Sequence, residues 1–202
     1  MNSPSHAGQH ANANDSIVAL EAASASFGPA AITSILGQTF PDWHATGTLV
    51  TPTSGIMYLT AIHLQAGLKI TNIWFMFGST TLSTPTHLWA ALLDNTVTTP
   101  KMLANSADTL TTVTPTVSVA ASFTLTAPFT TTYAGFYYLA YVAAASTMNT
   151  FAAAPPITAN SGRVATLPLL AGPGETGLTT VASASALITP SSYAAPVLAY
   201  VN

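Results

Sequence analysis

The chain has 202 residues and a mass of only 20.7 kDa; 49% of its residues are hydrophobic and 4% are charged, where an ordinary soluble domain carries about 25% charge. Three dispersed cations (Lys69, Lys101, Arg163) cannot form a nucleic-acid footprint, and six acids (Asp15, Glu21, Asp42, Asp94, Asp108, Glu175) leave the e and g positions of a coiled coil unfilled. Zero cysteines exclude a disulfide scaffold and a Cys-ligated zinc, and the high apolar content excludes disorder driven by charge.

The first fifteen residues are polar, rich in Asn, His and Ser, and read as an arm. Met1-Asn-Ser-Pro-Ser-His-Ala-Gly-Gln-His10 has no basic n-region and no apolar h-region, which points to synthesis in a cytosol without export by the usual signal route. The Asn14-Asp15-Ser16 sequon carries no meaning in that setting. Asp15 and Ser16 can cap Ile17-Val-Ala-Leu-Glu-Ala-Ala-Ser24, and Ala30–Leu36 can add a turn or two between Gly28-Pro29 and Gly37. Two short helices, or one broken helix, are expected over about 15–36. Residues 1–40 are therefore expected to be an N-terminal arm that anchors the protein or makes oligomer contacts, and 41–202 a single β domain.

From Gly47 onward the chain reads as strand. Ile56–Leu64 and Leu68–Phe77 flank Gln65-Ala66-Gly67, a connection of hairpin length. Val117, Val119, Ala121, Phe123 and Leu125 alternate with Ser118, Ala120, Ser122, Thr124 and Thr126, the period of a half-buried strand. Further strands are expected at 87–94, 101–106, 136–145, 164–170, 183–189 and 195–201. Threonine occurs 33 times and alanine 36 times, and β-branched threonine suits a pleated, half-buried surface. Thr-Pro at 51–52, 84–85, 114–115 and 189–190 reads as strand-entry punctuation, at intervals too unequal for a solenoid. Together these predict a mainly β chain, an antiparallel β-sandwich of jelly-roll-like form with a short N-terminal helical arm. The mean hydropathy of +0.45 invites a membrane reading, but the longest apolar run, Phe136–Ala145, is half the length of a spanning helix. A transmembrane β-barrel is the better membrane alternative; the expectation is no membrane partner.

Chemistry is sparse. His63, His87 and Asp94 could form a metal site only if adjacent strands brought them together, and imidazoles bonded within the sheets are the simpler reading. His6 and His10 are spaced for one helix face but lie in a segment that is not helical. No G-x-S-x-G elbow, P-loop or G-x-G-x-x-G occurs; Gly172-Pro173-Gly174-Glu175-Thr176-Gly177 lacks a following Lys and reads as a loop between strands. A glycosidase pair among six scattered acids is arbitrary. The expectation is no enzyme, no catalytic residue, no cofactor and no metal. Carbohydrate binding is a live alternative, because sugar sites combine exposed aromatics with neutral hydrogen-bonding groups. Trp43 and the tyrosines Tyr133, Tyr137 and Tyr138, which flank the Ala134-Gly135 turn, are the candidates for glycan or subunit contact. Trp74 and Trp89 lie in apolar strands, where an aromatic is usually core.

An Ala/Thr/Ser/Gly surface with almost no charge is unusual for a free monomer, and Lys and Glu are depleted from interface cores. The composition therefore suits a subunit of a larger assembly. Ser54–Gly67, Ile70–Gly78, Thr84–Asp94 and Pro128–Ala140 resemble a β-module of structural proteins in tailed phages that infect actinobacteria. Such modules occur in minor tail, tail-fibre and other virion proteins, and the resemblance spans about 40–145. It implies a jelly-roll-like fold and a virion role, and transfers no functional residue. The expected function is a non-enzymatic virion structural protein, a peripheral capsid decoration or head-fibre subunit acting through assembly; the alternative is a tail-fibre or minor tail protein with a receptor-binding module for host glycan. Expected partners are the major capsid or tail proteins, further copies of the chain (a homotrimer favoured) and a host cell-wall glycan. The expected location is the virion surface, after synthesis in the host cytoplasm.

Overall fold

The computed structural model describes residues 35–41, 44–45, 47–95, 100–109, 118–155, 171–179 and 194–202. The chain divides into Met1–Ile35 and Leu36–Asn202, and the fold described here is that of the second unit. Trp43, the strands expected at 164–170 and 183–189, and residues 1–34 of the expected arm lie outside the described residues; Gly37 and Gln38, expected in the arm, are instead strand and pair with Val201 and Tyr200 of the β domain. Among those that are described, the structure is mainly β and no residue lies in an α-helix; no helix is long and apolar enough to cross a membrane.

The described residues form eleven strands: β1 (Gly37–Gln38), β2 (Thr48–Val50), β3 (Tyr58–Leu64), β4 (Lys69–Met76), β5 (Ser83–Leu93), β6 (Met102–Asn105), β7 (Ala120–Thr130), β8 (Gly135–Thr147), β9 (Phe151–Ala153), β10 (Ala171–Pro173) and β11 (Ala199–Val201). They form a four-stranded sheet ordered β1-β11-β4-β7, a five-stranded sheet ordered β10-β3-β8-β5-β6, and a small β2-β9 pair, all antiparallel. The pairing is nested. Leaving aside β2, β9 and β10, β1 pairs with β11, β3 with β8, β4 with β7 and β5 with β6, so the first strand meets the last and each inner pair is enclosed by the one before.

The connection Gln65–Leu68 has hairpin length but makes no hairpin. β3 pairs with β8 and β10, β4 pairs with β7 and β11, and the turn carries the chain from one sheet to the other. Gly67 sits there at φ +83°, a conformation that glycine reaches without Cβ strain. Thr84-Pro85 likewise lies inside β5 rather than at its entry. A bulge between Pro85 and His87 accommodates it, one of the few places where a sheet tolerates a residue without an N–H.

Burial follows strand position. β7, at a sheet edge, buries Phe123 and Leu125 and turns Thr124 and Thr126 to solvent. β8, flanked on both sides, is apolar throughout 137–143 because both its faces are covered. Its Tyr137, Leu139, Tyr141 and Ala143 meet Ile73, Phe75, Phe77, Phe123 and Phe151 in the main core. Tyr138, Ala140 and Val142 face the other way, into a second apolar layer with Met57, Leu59, Trp89 and Leu178. The aromatic rings of the two sheets touch directly: Phe75 and Phe123 lie 5.5 and 6.0 Å from Tyr141, both edge to face. One margin is also stitched by backbone, where β7 leans across to β6 through the Ser106–Leu125 bridge and the Thr126 hydroxyl donates to Asn105 O at 2.9 Å.

Candidate functional site

The β7–β8 turn carries the exposed aromatic chemistry of the described surface. Its base is fixed by Thr131. The Thr131 hydroxyl accepts from Leu68 N at 2.8 Å and donates to Gln65 O at 2.6 Å, while its backbone exchanges hydrogen bonds with Leu68 O and Gly67 N. These bonds bolt the β7–β8 turn to the β3–β4 turn, so Tyr133 starts from a rigid platform.

Tyr133 is 39% exposed, and its ring stacks on the buried ring of Tyr137 at 4.5 Å and 15°. The Tyr137 hydroxyl donates to Tyr133 O at 3.0 Å, and the Tyr133 hydroxyl donates to Phe136 O at 3.1 Å. Gly135 makes room for the ring: a Cβ there would lie 3.1 Å from Tyr133 Cε2. Partial burial raises the Tyr133 phenol above its ordinary pKa of 10, a hydrogen bond from the Asn95 backbone pulls it down, and Tyr137 and the Asp94 carboxylate add to the rise. One ring face lies on Tyr137 and one edge lies over Gly135.

Of the three described residues among the four expected at a contact surface, Tyr133 alone is exposed. Tyr137 and Tyr138 are adjacent on a strand and so point to opposite faces, and both faces of β8 are covered. Tyr137 serves as the support under Tyr133. Tyr138 lies in the second apolar layer, where burial pushes its phenol up to about 12, and it is not available for contact. Trp43 lies outside the described residues.

Beside the tyrosine pair, Phe136 is 47% exposed and packs edge to face against His63, its cross-strand partner, at 5.3 Å. Phe136 also borders an open cleft of about 340 Å³ whose other walls include Phe40, Ala61, Pro155 and Pro196. Two features escaped the sequence reading. Trp74 is not core: it shares the outer face of β4 with Asn72, and its indole N–H donates to Asn202 Oδ1 at 3.3 Å. His87 Nδ1 lies 2.7 Å from Asp108 Oδ2, and Asp108 Oδ1 accepts from Leu88 N at 3.0 Å, which ties the segment after β6 to β5. His63, His87 and Asp94 are not assembled. On β8, His63 stands opposite Phe136 and His87 opposite Ala144, roughly 26 Å apart at about 3.3 Å per residue. No group of three potential ligands occurs among the described residues.

No protein-family model, characterised protein or solved structure matches the chain.

Proposed function

We propose that the chain is a non-enzymatic structural protein of a phage virion, a peripheral capsid decoration or head-fibre subunit built on a jelly-roll-like β-sandwich. The nested strand order carries this reading. Eight strands paired first to last, second to seventh, third to sixth and fourth to fifth are what a long antiparallel ribbon gives when it rolls into two facing sheets, the architecture of many capsid and lectin domains. Fold alone does not select a function. The 4% charge favours assembly, since charged residues are depleted at interface cores and this chain carries few of them. The resemblance of segments within 40–145 to virion modules points the same way. In this reading residues 1–40 anchor the subunit to the particle and the β domains associate as trimers.

The stacked Tyr133–Tyr137 pair favours a second reading, a tail-fibre or minor tail protein whose β-module binds host glycan, because an exposed, fixed aromatic face is what a sugar ring stacks on. Immunogold labelling of purified particles separates the two. Label on the head supports the decoration role, label on the tail supports the second reading, and particles free of the protein overturn both.

A further inference from the structure

We draw no further inference here: the strongest candidate, the open apolar cleft of about 340 Å³ bordered by Phe40, Ala61, Phe136, Pro155 and Pro196, carries nothing, because nothing in the structure shows what covers it.

Discussion

Tyr141 donates its phenol proton to Asn149 Oδ1 across 2.6 Å, and neither side chain reaches solvent. The hydroxyl sits among four rings, those of Phe75, Phe77, Phe123 and Phe151, with centroids 4.7–6.1 Å from that of Tyr141. A polar atom buried there is tolerated because the β8–β9 connection delivers an amide to it. Tyr141→Phe keeps the ring packing and leaves the Asn149 oxygen unsatisfied, so it should cost about 1–3 kcal/mol. Urea unfolding checks this: the midpoint should fall while the slope is unchanged. An unshifted midpoint would show that the amide finds another donor.

Alkaline stability follows from burial of the tyrosines. Tyr138 is pushed up to about 12 and Tyr141 well above the ordinary 10, in both cases because burial disfavours the phenolate. The unfolded chain releases these protons near pH 10 while the folded chain still holds them, so the unfolded state binds fewer protons and stability falls as pH rises. The contribution is complete below about pH 10 and is lost between there and about pH 12 and beyond. Thermal midpoints followed by circular dichroism should drop through that window, and Tyr138→Phe should flatten part of the drop. A midpoint that stays constant across the window would contradict the assignment.

Two glycines with equally close neighbours should respond differently to alanine. At Gly37 the added methyl meets Leu64 Cδ2 at 2.6 Å, the mobile tip of a side chain. At Gly78 it meets Leu49 Cδ2 at 2.6 Å and also Thr150 Oγ1 at 2.7 Å and Cβ at 3.2 Å. That Thr150 oxygen accepts from Thr80 N at 3.0 Å, so the clash also strains a hydrogen bond. Gly78→Ala should cost about 1–3 kcal/mol, with Gly37→Ala well below it, in parallel denaturant titrations.

On the outer face of the four-stranded sheet, Asn202 Oδ1 accepts from Asn72 Nδ2 at 3.0 Å and from Trp74 Nε1 at 3.3 Å. Asn72 Oδ1 in turn accepts from the Thr124 hydroxyl at 2.7 Å, so one network spans β4, β7 and the residue after β11. Asn202→Ala should cost about 1–2 kcal/mol and shift tryptophan emission, whereas Asn202→Asp, which keeps the acceptor oxygen, should restore most of both. Equal behaviour of the two variants would mean that the side chain is not what holds Trp74.

Strand existence was legible for the longer strands, whereas β1, β2, β9 and β10, of two or three residues each, were not among the expected elements and Gly172-Pro173 was expected to be loop. The Ser122/Thr124/Thr126 alternation marked β7 because that strand lies at a sheet edge. Pairing was not legible: the three-residue spacer after Leu64 is equally compatible with a hairpin and with a crossing between sheets, and only contacts far along the chain decide. Trp74 and Trp89 look alike in the sequence, both set in apolar runs. They separate by parity, for Trp74 is in phase with Asn72 and out of phase with Ile73 and Phe75, a cue the sequence did hold. Tyr137 and Tyr138 show the reverse problem. Their phenols suggest a surface, but a central strand covered on both faces buries them. The His87–Asp108 pair joins residues 21 apart across a sheet margin, beyond any local pattern.

The nested pairing also fixes an order in time. Thr39 and Ala199, 160 residues apart, share a hydrogen bond beside the β1–β11 pair, and β11 is an interior strand of its sheet rather than an edge. At a synthesis rate of about 5–20 residues per second, β1 waits roughly 8–32 seconds for β11, its one neighbour among the described strands. Until then β4 lacks one of its two partners and presents an open edge, the template on which neighbouring chains mispair. Folding of this domain is therefore completed only after residue 201 has left the ribosome. Nascent copies crowded on one message face their greatest danger of joining one another during that wait.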